Sequence, residues 1–281
     1  MAIKILACVD GSDASVGVCH WAGWLGQNAN TPANISVLHV IEKNRTTEKN
    51  DTSGTLTLGA REHLLDALSE QDAVWAKQLK ANGKIVVQQA RELISTYSVG
   101  EIDTMFEHNN IIDSVRTHMG THHLLVLGQH GTQHMDGRTG AHVLSLMDMV
   151  QSPILISKGT WQIPRNVLIA YDGTKGADKV IDFVVHHVQF GQMTCHLLMA
   201  GDQPKLLDEP LRRLREAGIS AQAHCELSEN IQELIARYET ENAIDLLVMG
   251  THGHSKWRRL VKGSTALRLL KASTRSILII K

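Results

Sequence analysis

The stretch "GTHGHSKWRRLVKGST", residues 250–265, holds the side chains best suited to chemistry. Gly250, Gly253 and Gly263 leave backbone N–H groups uncovered and let the chain turn tightly against a ligand. Lys256, Arg258, Arg259 and Lys262 add positive charge, and no acidic residue offsets them. Ser264 and Thr265 then lead into the helical pattern "ALRLL". A helix N-terminus with two hydroxyls added suits a phosphate group. The fixed positions Gly250, Gly253, Gly263 and Ser264 spell G-x2-G-x9-G-[ST], which differs from a Walker A loop. Two bland readings stand beside this one: a glycine-rich connection without ligand, and a solvated face of lysines and arginines.

Binding is easier to read here than catalysis. His252 and His254 are the imidazoles of this loop, and imidazole titrates close enough to neutrality to act as a base. The chain has no GxSxG elbow, no HExxH and no kinase signature. Phosphoryl transfer needs a positioned nucleophile as well as charge neutralisation, and only the cradle is legible. No catalytic residue is assigned. Metal binding by histidine is not supported either. The pairs at 122–123 and 186–187 point their side chains apart, and no Cys or carboxylate cluster completes a site.

The elements that must position this loop come in two copies. "KILACVDGSDASVGVCHWAGWL" corresponds to "NVLIAYDGTKGADKVIDFVVHH" from Asn166. "HHLLVLGQHG" corresponds to "IDLLVMGTHG", and "SPILISK" to "RSILIIK", in the same order in both halves. The seam falls near "KGTWQIPRN", 158–166, punctuated by Gly159 and Pro164. We expect domains over 1–158 and 163–281. Short apolar runs alternating with helical periodicity indicate a parallel sheet covered on both faces. Each half is expected to hold five mainly parallel strands, packed as a pseudo-twofold pair and not as one continuous sheet of ten. In the second half strands are expected near 166–171, 193–200, 219–226, 244–249 and 276–280. "ENIQELIARYET" puts Ile231, Leu234, Ile235 and Tyr238 on one helical face, with Ser228 as N-cap. In such a sheet ligands sit outside the carboxyl ends of the strands where strand order reverses. Asp172, ending the first strand of its half, faces that place. It can serve a ligand or simply hold the turn that follows.

The halves differ in length and in their loops. Asp10 to Gly128 spans 118 positions, and Asp172 to Gly250 spans 78. Much of the excess is a helix-forming run over 60–98, with Gly83 as its expected break. That run offers either an interaction surface or extra core cover. In the first half Gly128 and Gly131 are kept, but Gly140 comes one residue early and Ala141 follows it. Asp136 adds negative charge where a phosphate would sit. This half is expected to be a degenerate partner, with Asp10 kept for its turn.

Bulk composition excludes several classes. With 28 Lys+Arg against 29 Asp+Glu, the formal charge of −1 gives no general attraction to nucleic acid or membrane. No apolar run approaches the ~20 residues that span a bilayer. "MAIKILACVDGS" reads as mature sequence and not as a signal peptide. Cys8, Cys19, Cys195 and Cys225 lie far apart and are expected as reduced thiols of a cytoplasmic protein.

On the duplicated strand–Asp–Gly–[Ser/Thr] openings and the G-x2-G-x9-G-[ST] loop, the chain resembles a tandem universal stress protein over essentially its whole length. The resemblance implies a Rossmann-like, adenine nucleotide alpha-hydrolase-like fold, ATP as ligand of the half that keeps the loop, and Mg2+ carried in with the phosphates. It implies that Asp172 meets the nucleoside end and that backbone near Met199 meets adenine. Met249 and Gly250 would line the nucleoside, while Gly253, Gly263, Ser264 and Thr265 would hold ribose and phosphates. It also implies domain pairing through the last strands, "ILISK" and "ILIIK", and a role in stress regulation. The enzymatic share is at most slow hydrolysis, or autophosphorylation at Ser264 or Thr265. The alternative is a nucleotide-independent scaffold, with a second copy or another protein docking on the first-half helices or terminal strands.

Overall fold

The computed structural model describes residues 3–42, 77–129, 141–187, 193–250 and 273–281. In the first half β1 (Lys4–Cys8), α1 (Asp13–Gln27) and β2 (Asn34–Ile41) precede a helix, α2, that is helical over 77–94. Then come β3 (Ile102–His108), α3 (Ile111–Met119), β4 (Leu124–Gly128), α4 (Ala141–Met149) and β5 (Ile154–Ser157). The second half runs β6 (Asn166–Ala170), α5 (Lys175–His187), β7 (Thr194–Ala200), a 3-10 turn (Pro204–Leu207) and α6 (Asp208–Glu216). It closes with β8 (Ser220–Glu226), α7 (Ile231–Glu241), β9 (Leu246–Gly250) and β10 (Ser276–Ile280).

Strand order is β3-β2-β1-β4-β5-β10-β9-β6-β7-β8. Within each half all pairings are parallel. The seam between β5 and β10 is antiparallel, with Leu155 opposite Leu278. Against the expectation of two separate sheets, the two halves share one sheet of ten strands. The cause is chemical. "ILIS" and "SILII" are buried along their whole length, and each edge satisfies the other's backbone groups. The last-strand pairing implied by the resemblance is thus met inside one chain, and the terminal-strand edges are taken up there.

Two cores cover the sheet. One face packs α1, α2, α5 and α6 against residues such as Ile5, Val126, Ile169, Leu197 and Leu278. The other packs α3, α4 and α7 against Leu6, Leu125, Leu168, Leu247 and Ile279. All five second-half strands begin and end within two residues of expectation; β6, β9 and β10 are sandwiched and read as apolar runs, whereas the edge strand β8, "SAQAHCE", is mostly exposed. The seam segment is pinned as well. Trp161 stacks on His20 at a centroid distance of 5.3 Å and meets Trp21 edge-on at 4.9 Å.

Two helix details depart from the sequence reading. Gly83 does not break α2; a Cβ there would lie 2.0 Å from the Phe106 ring, so the glycine lets the helix close onto β3. The N-cap of α7 is Asn230, whose side chain accepts from the Glu233 N–H, and not Ser228. Ser228 instead donates to the Asn230 carbonyl, one step outside the cap. The expected face of Ile231, Leu234, Ile235 and Tyr238 is buried. All four cysteines are free thiols, and burial pushes Cys8, Cys19 and Cys195 up to about 12. Among the described residues no helix is long and apolar enough to cross a membrane.

Candidate functional site

In the second half the chain leaves β6 toward β7 on one side and returns through β9 on the other. The crevice at this reversal lies at the carboxyl ends of β6, β7 and β9. Register places the sequence-chosen residues along it. Ala170 stands opposite both Leu198 and Met249, so Asp172, Met199 and Gly250 all emerge at the same edge of the sheet. Tyr171 ties the edge together, its N–H donating to the Leu198 carbonyl at 2.9 Å.

Asp172 is half-buried, and its Oδ1 accepts from the Thr174 N–H at 3.1 Å and the Thr174 hydroxyl at 2.6 Å. This turn makes Gly173 adopt φ +73°. A side chain at Gly173 would press on Leu206 Cδ1 at 3.0 Å and approach Met199 Cε at 3.9 Å. Leu206, 43% exposed, and Met199 thus form an apolar wall beside an acceptor carboxylate. Sequence reasoning missed Leu206. It lies in a four-residue 3-10 turn with no periodicity to expose it; only Pro204 signals an element there.

Gly250 has a packing role of its own. A Cβ on it would stand 2.8 Å from the Gly176 carbonyl oxygen, so the end of β9 touches the start of α5 backbone to backbone. Met249 and Met199 do not come together. The Met199 side chain belongs to the core under α5 and α6, and that of Met249 to the core under α7. Met249 can therefore offer the crevice its backbone and not its side chain. Gly253, Gly263, Ser264 and Thr265 lie outside the described residues, as do His252 and His254.

The chemistry on this edge is that of recognition. Tyr171 donates to Asp178 at 2.7 Å, and burial with that acidic partner raises its pKa, so its hydroxyl stays a neutral donor. Arg213 on α6 pairs with Asp182 on α5, holding together the two helices behind the wall. Among the described residues no group of three or more His, Cys, Asp or Glu could hold a metal ion. A carboxylate acceptor beside an apolar wall can accept hydrogen bonds from hydroxyls and cover an apolar or flat group.

The first-half counterpart is built differently. Asp10 Oδ1 accepts from the Ser12 N–H and hydroxyl and from the Ser15 hydroxyl at 3.0, 2.6 and 2.9 Å. Ser15 Oγ in turn accepts from the N–H groups of Asp10 and Gly11. Val86 of α2 covers Gly11, with a Cβ there falling 2.8 Å from Val86 Cγ2. Gly131, Asp136 and Gly140 lie outside the described residues.

Comparison with known proteins adds the following. The model of the universal stress protein family matches residues 1–102 and 196–281, more than half of the chain. Universal stress protein Slr1230 of Synechocystis is 29% identical over 285 aligned positions, covering 98% of both chains. A universal stress protein from Archaeoglobus fulgidus superposes with a TM-score of 0.65 at 17% identity, over 99% of this chain and 96% of that one. A functionally unknown protein from Pseudomonas aeruginosa gives 0.56 at 16% identity, over 100% and 92%. At such identities the two structures speak for the fold alone.

Proposed function

The chain belongs to the universal stress protein family, and from that premise we propose that its second half binds ATP and that occupancy regulates its shape or partners in a stress response. The observation that carries this reading is a convergence. Asp172, Met199 and Gly250 emerge at one edge of the sheet, at the strand reversal, and Gly250 begins the spacing G-x2-G-x9-G-[ST]. Asp172 receives the nucleoside end, backbone at Met199 meets adenine, and Leu206 covers the ring. Met249 and Gly250 line the nucleoside through their backbones. Gly253, Gly263, Ser264 and Thr265 hold ribose and phosphates. Mg2+ enters with the phosphates, which supply most of its ligands. The first half, 1–158, serves as a partner domain without nucleotide, and 163–281 is the binding domain. In the cytoplasm such a protein reads nucleotide supply and does not turn it over.

A second reading has its own support. The Asp172 carboxylate already holds a turn, and Gly250 is demanded by contact with Gly176. Both features suit a nucleotide-independent scaffold of the same fold. One experiment separates the two. The purified protein is heated, and the released small molecules are run on an ion-exchange column. Adenine nucleotide near one equivalent per chain supports binding. None released, together with a flat ATP titration, supports the scaffold.

A further inference from the structure

A lysine follows each last strand, and each lysine feels the charge of an acid of the opposite half. Lys158 follows β5, and its charge neighbour is Glu239 on α7, which is 3% exposed and accepts from Ser273 at 2.9 Å. Lys281 follows β10, and its charge neighbour is Asp148 on α4. Its ammonium also donates to the Met147 carbonyl of α4. Burial lowers the pKa of both lysines, that of Lys158 to about 8. The two halves are therefore crossed by a pair of desolvated cations related by the pseudo-twofold of the sheet.

The Lys281 arm leads to the crevice. Met147 contributes one of the last four carbonyls of α4, groups that a helix cannot pair within itself. A cation there also suits the helix dipole. Lys281 stands one residue beyond Ile280, and Ile280 is paired with Gly250. A single lysine thus connects the rung that opens the crevice loop to the end of a helix in the other half.

We propose that Lys281 is a positioning residue that couples the second-half crevice to α4 of the first half, so that a ligand held beside Gly250 is felt at the last turn of that helix. The proposal rests on the nucleotide reading above and supplies its route of regulation. Coupling of this kind is reciprocal: the factor by which ATP tightens α4 is the factor by which the tightened helix favours ATP over the loosened one.

The test uses the full chain. Hydrogen exchange over 141–150 is followed with and without saturating ATP and Mg2+, and calorimetry on the same samples reports ATP binding. In the unaltered chain ATP should slow exchange there by about fivefold or more, the low end of ordinary coupling. Lys281→Met should still bind ATP but lose that response, and Lys281→Arg, which keeps a donor in reach of the carbonyl, should restore it. Without ATP, Lys281→Met should already speed exchange in the last turn of α4 by roughly two- to tenfold, as removal of a helix-end cation predicts. The proposal is overturned if α4 responds equally in Lys281→Met. It is equally overturned if α4 stays silent in the unaltered chain with ATP bound. Complete loss of ATP binding in Lys281→Met would make this residue a ligand contact and not a coupler, which also overturns it. A calorimetric blank for the unaltered chain instead removes the nucleotide reading, and the coupling falls with it.

Discussion

At the end of β1, Asp10 is closed in by Ser12 and Ser15; at the end of β6, Asp172 takes Thr174, and the place of Ser15 is held by Ala177. The same opening, strand–Asp–Gly–hydroxyl, thus carries two fates. In the first half one extra hydroxyl bridges the carboxylate to two backbone N–H groups at the same corner. A long helix then lays Val86 across it. In the second half Ala177 removes that bridge, and the cover is a short turn carrying Leu206. Keeping a motif residue is therefore weak evidence of keeping its job. Its neighbours decide which hydroxyls the carboxylate engages: Ser12 and Ser15 at Asp10, Thr174 at Asp172.

The comparison breaks most visibly if the first half also binds. Titration calorimetry should give one ATP per chain, and Gly263→Val should weaken it by at least about 100-fold, roughly 2.7 kcal/mol. Ser264→Ala should cost only about 0.5–1.5 kcal/mol, the range of one net hydrogen bond. Two equivalent sites, or full affinity in Gly263→Val, would erase the asymmetry. Next in size is a first-half effect. Gly83→Ala would ordinarily favour a helix, yet the Phe106 ring stands where the methyl must go. We expect a loss of about 1–3 kcal/mol from overpacking, read from the urea midpoint.

A smaller pair of effects sharpens the contrast directly. Asp10→Ala should cost stability by about 1–2 kcal/mol through the lost bonds from Ser12 and Ser15, while leaving ATP affinity in the second half alone. Asp172→Ala should cost less stability and reduce ATP affinity by about tenfold, near 1.4 kcal/mol. Equal behaviour of the two variants in both assays would mean that the two turns have one role. The remaining effect is in pH. Lys158 gives up its proton near pH 8 in the folded chain, against the ordinary 10.5 when unfolded. The unfolded chain binds more protons between those values, so stability should rise with pH across that window and lose this contribution below it. The slope is at most about 1.4 kcal/mol per pH unit. Lys158→Met should flatten the difference, measured by urea denaturation at pH 8 and pH 10.

The inner strands of the second-half sheet were legible because β6, β9 and β10 are apolar runs bounded by polar residues or glycine, while the edge strand β8 is largely polar. The seam was less so. "ILIS" and "SILII" announce burial, but burial by a neighbouring strand and burial by a helix leave the same letters. Gly83 was misread because a glycine chosen for close packing looks like a glycine chosen to break a helix. Ser228 and Asn230 are both good caps, and only backbone geometry selects between them. At the strand reversal, the positions of Asp172 and Gly250 could be read from their places at strand ends. Leu206 could not, since its neighbour is Gly173 and that contact crosses from one loop to another. Opposite sides of the sheet separated Met199 from Met249, which strand alternation could have warned of, given the register.

The antiparallel rung between Leu155 and Leu278 has one more consequence. Two separate chains meeting through such strands would obey mass action, and their pairing would fade on dilution. Here the partner strand is tethered, and a tether of this kind keeps an effective concentration on the order of millimolar whatever the amount of protein present. The joined state is thus independent of expression level. A cell could make this protein scarce or abundant without changing the fraction that is assembled.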